Sequence, residues 1–497
     1  MKDSSSAANG VFDEAAMTIW IHEMTAWGPR RAGSQAGHQC EDYLVSKLQS
    51  FGITDVRKEA IPVEVYEVNR FSLEVNNGGG YREIEGQWIP HCAFTPDAGL
   101  TAALVYADPG KLFQGADWKG KIVVTDISFP DLDLKLLQKF SLGAYDPHDT
   151  IMRVNHPATW VRMGWHFYKM AREKGAVGFI GILKDQPGGS CKMYAPYGFK
   201  EKNILDKPLP GCWVSRKDRL DLIEMARSGA ATAKLTLCGT RKPGVTHNIV
   251  GEIRGNAAGA GEEVMVMHSH HDSPFVSPVE DASGCAVVLA VAKHFAASKE
   301  LKRNLTILLT AGHFYGSIGT RTFIRDHKDD VVPRVVLEMT VEHVAKEAVE
   351  DSAGNLVESG LPEGTGVFAP FNGDMVRSIL KNLEENDVHR VFILPAEGPL
   401  GDFPPTDGGD WYEAGVPLIN MISNPVYLLN AEDDYSWVMG ARLPKVASCF
   451  IGIIRDADKM DRETIARVEF KAMKAKMKLV KLLARAKTTR FGTRPVY

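Results

Sequence analysis

The second half of the chain consists of short, unbroken apolar runs separated by segments of helical periodicity. Runs at 248–253, 264–268, 304–310, 334–341 and 416–422 are rich in Val, Ile and Leu and predict strands buried on both faces. Apolar positions at three- and four-residue spacing predict helices over 283–297, 317–327, 373–386 and 441–456. Strands and helices alternating in this order build an α/β fold with a mostly parallel central sheet flanked by helices. Active sites on such sheets lie at the carboxyl ends of the strands.

The first half is organised differently. Residues 12–50 predict two helices around the loop Gly28-Pro29-Arg30-Arg31-Ala32-Gly33-Ser34, and 60–75 alternate as strands do. A smaller α/β module follows, with strands at 122–125, 176–182, 210–214 and 233–237 and a helix over 217–228. Its middle, 126–160, is polar and rich in Asp and Pro and predicts an irregular excursion. The chain thus divides into 1–92, the first part of a main domain; 93–242, an inserted module; 243–457, the rest of the main domain; and 458–497, a basic helix and tail.

Composition narrows the possibilities. At roughly 150 residues per domain, 497 residues fit about three units. With 44% hydrophobic and 24% charged residues, a wholly disordered chain is excluded. No apolar run approaches the ~18 residues that span a bilayer, so no membrane segment is expected. The net charge of −4 conceals an asymmetry. From Lys471 to Tyr497 there are nine Lys or Arg and no acid, which leaves 49 basic against 62 acidic side chains, a net of −13, on residues 1–470. Apolar residues Ile465, Val468, Met473, Met477, Val480 and Leu483 lie between those lysines and predict one long amphipathic helix over 459–487. A basic helix beside an acidic body points to a homo-oligomer held by that helix, rather than to nucleic acid or a membrane. The polar start MKDSSSAANG lacks the apolar region of a secretion signal, and the seven scattered cysteines form no CxxC. Both features point to a cytoplasmic, reduced protein.

Four predicted strand ends carry polar clusters: His268-Ser269-His270-His271-Asp272-Ser273, then Glu280-Asp281-Ala282-Ser283-Gly284 opening a helix, Gly312-His313-Phe314-Tyr315-Gly316, and Glu342-His343. Any one alone reads as a surface turn or a helix cap. Imidazoles and carboxylates gathered at successive strand ends are the donor set of a divalent metal.

These residues resemble the peptidase M28 family, the zinc aminopeptidase and carboxypeptidase group. Arg30-Arg31-Ala32-Gly33-Ser34 resembles its R-x-x-G-S segment, His270-x-Asp272-Ser273 its H-x-D-S, and Glu280–Gly284 its D-N-A-S-G. Gly312–Thr320 resembles G-E-E-x-G-x-x-G-S, Thr406-Asp407 with Ala414–Pro417 resembles S-D-H…G-I-P, and Asn430–Asp434 resembles H-T-x-x-D. Residues near 90–240 resemble the protease-associated (PA) domain often inserted in these enzymes. The resemblance implies a zinc-peptidase fold.

It also implies a changed site. The family holds two zinc ions, and the first would sit on His270, Glu280 and Glu342. The second would need Phe314, which cannot ligate, and Asn430, a poor ligand. His313 stands in the place of the family's general base. The expected centre is therefore one divalent ion per subunit on His270, Glu280 and Glu342, with His343 a fourth ligand or an outer partner. Zinc follows from the resemblance; iron or manganese would also suit the donor set. Asp272 would orient His270, His313 would take the proton, and Tyr315 would support an oxyanion or pack. The expected activity is hydrolysis of an amide, in a short peptide or a small molecule. The alternatives are a non-catalytic scaffold of the same fold and a facial-triad enzyme of non-hydrolytic chemistry. Arg153, Arg162 and Lys192 in the inserted module could meet an anionic substrate.

Overall fold

The computed structural model describes residues 13–111, 117–129, 131, 137–151, 157, 164–195, 208–257, 262–397, 403–471, 474 and 475. At its centre the strands Asn304–Thr310, Val264–His270, Val335–Val341 and Leu418–Ser423 lie side by side in that order, all parallel. Their side chains alternate between two cores. Met265 and Met267 enter one, with the helices Gly284–Ser298 and Leu443–Ala457. Val264 and Val266 enter the other, with Phe323 and Trp411. Cover on both faces is why these strands read as unbroken apolar runs. Each fully buried aliphatic side chain contributes roughly 1.5–3 kcal/mol, and the helix Gly284–Ser298 buries Gly284 through Ala292 without a break.

Parallel order places four strand ends, His270, Thr310, Val341 and Ser423, along one edge of the sheet. The helices Ile318–Asp326 and Gly373–Glu385 complete the layers near their predicted positions. Further strands were not legible in the sequence. Thr365–Ala369 runs antiparallel to Leu418–Ser423, Val391–Pro395 pairs with it in parallel, and Lys346–Glu350 forms a hairpin with Leu356–Pro362. The hairpin is half exposed, so neither an apolar run nor a clean alternation marks it.

The two modules share one sheet. Asp55–Asn76 and Thr232–Ile253 form a long antiparallel ribbon, paired from Asp55↔Glu252 to Asn76↔Thr232 with a bulge between Val68 and Arg70. One end of the ribbon joins the main sheet, Ile249–Ile253 beside Leu305–Leu309. The other joins the smaller module, Thr232–Leu235 beside Leu100–Ala103. There Leu100–Tyr106, Ile122–Ile127, Gly178–Leu183 and Gly211–Ser215 are parallel and enclose their own cores. Residues 242 and 243 lie inside the ribbon, so no linker separates the modules there.

Two expectations are corrected. The excursion 126–160 is not wholly irregular, because Gly143–Tyr145 adds an antiparallel edge strand to Val391–Ile393 of the main sheet. A Cβ at Gly143 would stand 3.0 Å from Leu380, so glycine permits that close approach. The segment 459–487 is not one helix from its start. Only Arg462–Ala466 is helical there before the chain turns extended at Arg467. Docking on its own body explains the break. Ile465 is buried, Val468 and Phe470 pack with Phe140 and Phe371, and the Glu469 N–H donates to the Phe371 carbonyl at 2.8 Å. Residues 476–497 lie outside the described residues. All seven cysteines are unpaired and six are buried. Among the described residues, no helix is long and apolar enough to cross a membrane.

Candidate metal centre

The chain leaves the sheet at His270 and crosses the edge in a turn held by buried polar groups. Arg30, 1% exposed, donates from Nε to the His271 carbonyl at 3.0 Å. Its terminal nitrogens donate to the carbonyls of Val276 (2.7 Å), Ser277 (3.2 Å) and Glu280 (3.4 Å). Asp433 accepts from the N–H groups of Val279 (3.1 Å) and Glu280 (3.0 Å). Asp281 accepts from the Ser269 hydroxyl, from the Gly284 N–H at 3.2 Å and from the His343 N–H at 2.9 Å. A Cβ at Gly284 would meet that carboxylate at 2.4 Å, so the position requires glycine. The Glu280–Asp281 peptide is cis.

These supports bring His270, Glu280 and His343 together, all buried, with one ligand atom of each within 4.8 Å of the others. His270 Nδ1 lies 3.1 Å from the Asp272 carbonyl oxygen, and His343 Nδ1 lies 2.8 Å from that of Ser423. A carbonyl can only accept, so each ring carries a proton on Nδ1 and, when neutral, its lone pair on Nε2. The two Nε2 atoms flank one carboxylate, His270 3.2 Å from Glu280 Oε1 and His343 2.7 Å from Glu280 Oε2. Yet His270 Nε2, His343 Nε2 and Glu280 Oε2 are buried without hydrogen-bond geometry to any partner among the described residues. With both rings neutral, lone pairs face lone pairs, and a proton or a metal cation has to lie between them. The donor set therefore fits a divalent ion held by imidazole and carboxylate.

A second pair lies against the first. The His313 ring stacks on His270, centroids 4.1 Å apart and 13° from parallel. Its Nδ1 lies 2.6 Å from Asp407 Oδ1, which also accepts from the Ser317 hydroxyl at 3.0 Å. Asp272 Oδ1 accepts from the His313 N–H at 3.1 Å and stands 3.7 Å from His270 Nδ1. His270, His313 and Asp407 form a further convergent group of possible ligand atoms.

Burial opposes charge throughout this site, and neighbours decide the result. Burial would raise the Glu280 carboxyl, but His343 and His270 outweigh it and hold it below the usual carboxylate range. For His343, burial is outweighed chiefly by Glu280, which raises the ring to about 10. His313 is raised as well, burial yielding to Asp407, and Asp407 is correspondingly held low. Glu342 goes the other way: burial, then the charge on Asp407, push it up to about 7.

The remaining expected residues are placed as follows. Glu342 accepts from the Asp407 N–H at 3.3 Å and is in no convergent group of three among the described residues. Tyr315 donates its hydroxyl to the Glu64 carbonyl at 3.0 Å. Phe314 lies edge-on to His270, centroids 6.0 Å apart, and Asn430 is buried with its amide nitrogen donating to the Leu428 carbonyl at 3.1 Å. His268 sits deeper, between Glu338 (3.1 Å) and Thr310 (3.1 Å), and His271 Nε2 lies 2.9 Å from the His247 carbonyl. Lys192 pairs with Glu85 at 3.2 Å, and Arg153 and Arg162 lie outside the described residues. Sequence reasoning missed Glu338, Asp433 and the buried role of Arg30. Asp407, which the sequence offered only as part of a motif, is fully buried.

Comparison with known proteins bears on fold and family. The chain shares its fold with a peptidase M28 precursor from Shewanella amazonensis SB2B, at TM-score 0.67 and 18% identity over 88% of this chain and 92% of that one. It also matches BSAP, a zinc aminopeptidase from Bacillus subtilis, at TM-score 0.66 and 18% identity over 92% and 99%. An aminopeptidase from Aneurinibacillus sp. strain AM-1 matches at TM-score 0.59 and 18% identity over 90% and 93%. Comparison with curated protein sequences finds no match. Residues 248–437, which carry His270, Glu280, His313, His343 and Asp407, match the profile of Peptidase family M28. By sequence profile this part of the chain is similar to peptidase family M28, and the chain as a whole shares the fold of these peptidase structures.

Proposed function

We propose that the protein is a metal-dependent hydrolase of an amide bond, in a peptide or a small molecule, with one divalent ion at this centre. The observation that carries the reading is the opposition of the His270 and His343 Nε2 atoms to the Glu280 carboxylate without hydrogen-bond geometry. His270, Glu280 and His343 would hold the ion, with Glu342 the adjoining carboxylate; zinc is the first candidate, and iron or manganese would suit the same donors. When bound, such an ion lowers the pKa of a water and polarises a carbonyl. His313 is the general base. Asp407 keeps the proton on Nδ1, which puts the basic lone pair on Nε2, and it stabilises the imidazolium that forms. Asp272 fixes the His270 ring through its backbone carbonyl and holds the His313 backbone through its carboxylate, which accepts from the main-chain N–H. The inserted module is read as a PA-type domain, and peptide substrates are the class the family suggests.

The test is elemental analysis of protein purified without chelator, followed by an amide-hydrolysis screen with His313→Ala as control. One metal equivalent fewer in His343→Ala than in the wild type, with hydrolysis abolished in His313→Ala, is the expected result. Metal content unchanged in His343→Ala, or full activity in His313→Ala, would overturn the assignment.

A further inference from the structure

Behind the centre a second set of imidazole and carboxylate groups converges. Glu41, on the helix Gln35–Ser50, has a side chain with no exposure to solvent. Its Oε1 accepts from the Thr246 hydroxyl and the His247 N–H, both at 2.9 Å. Its Oε2 faces His247 Nδ1 at 2.7 Å and His38 Nδ1 at 3.0 Å. His38 lies one helical turn before Glu41, and His247 lies on the ribbon strand Thr232–Ile253. The two ring nitrogens and the carboxylate oxygen lie within 4.8 Å of one another.

We infer that His38, Glu41 and His247 form a second divalent-cation site, separate from the centre on His270, Glu280 and His343. Two imidazoles and one carboxylate are a zinc-type donor set that leaves a coordination position for water. The His38 side chain is 41% exposed and that of His247 24%, so the site opens to solvent, unlike the buried centre. Oxygen Oε1 is tied down by two donors, which fixes the carboxylate and leaves Oε2 to ligate. Lys58 stands 3.4 Å from Oε2 but only 2.6 Å from Asp42, which can hold it when a cation takes the carboxylate oxygen. The site also touches the centre, since the His247 carbonyl faces His271 Nε2, one residue from His270. Neither the Phe314 nor the Asn430 position of the family's second zinc takes part. A chain carrying two ions would therefore not be evidence for the family's paired site.

Zinc titration of the full, chelator-stripped chain by calorimetry tests this. The wild type should take up two equivalents, His38→Ala one, His343→Ala one and the double variant none. His38 is a surface residue, and unchanged circular dichroism without zinc would show that its loss leaves the fold intact. Lys58→Met should still take up two. Equal stoichiometry in the wild type and His38→Ala overturns the second site, whatever His343→Ala does. One equivalent that is lost in His38→Ala and kept in His343→Ala would uphold it and overturn the reading of the buried centre.

Discussion

His313 Nδ1 and Asp407 Oδ1 stand 2.6 Å apart, both buried, and the imidazole they fix is stacked on His270. A carboxylate in this position sets the tautomer and raises the basicity of the ring. Asp407→Asn preserves the shape and removes both effects. It should lower kcat by on the order of 10²–10⁴-fold. It should also move the acid limb of the kcat–pH profile to lower pH, because Asp407 is what raises His313 against burial. A profile that keeps its acid limb in Asp407→Asn would assign that limb to another group.

His343 and Glu342 are neighbours in sequence with different expected roles. His343→Ala should weaken metal binding at the centre by more than about 100-fold, beyond the 10–100-fold typical of outer partners. Glu342→Gln should stay within that outer range. Competition with a chelator of known affinity measures both, and the reverse order would make Glu342 the ligand.

Arg30 donates to four carbonyls that shape the turn from His271 to Glu280. Arg30→Met leaves those buried acceptors without their charged donor and should destabilise the protein by about 3–5 kcal/mol. Denaturant unfolding reads the loss, and hydrogen exchange should show it first in residues 271–280.

Glu41 links stability to pH. Burial alone would raise its pKa, but His271 together with hydrogen bonds from His38, His247 and Thr246 lowers it from 4.5 to about 2. The folded state therefore binds this proton less tightly than the unfolded state. The contribution, on the order of 3 kcal/mol, is present above pH 4.5 and lost as the pH falls toward 2. In metal-free protein, Glu41→Gln should flatten the decline of stability between about pH 5 and 2. An unchanged slope would place the acid sensitivity elsewhere.

How far the sequence carried depended on the range of the interactions. The buried strands Val264–His270, Asn304–Thr310 and Val335–Val341 announce themselves because cover on both faces demands apolar side chains at every position. Those strands, in parallel order, are enough to put His270, Glu280, His313 and Glu342 at one edge of the sheet. The basic segment after residue 459 misled for the complementary reason. Its apolar spacing suits a helix, but contacts with Phe371 and Phe140, distant in sequence, accompany a break in the helix at residues 467–470.

The sequence by itself determined the α/β fold, the likeness of residues 248–437 to peptidase family M28 and the group of residues from which the centre is built. Only the tertiary structure decided which members of that group converge. Strand alternation would turn Glu342 and His343 to opposite sides, but His343 adopts a left-handed backbone, φ +61°, and its imidazole meets Glu280. Asp407 becomes the partner of His313 across a separation of 94 residues. Those choices rest on backbone turns and distant contacts, which no local pattern of apolar and polar residues encodes.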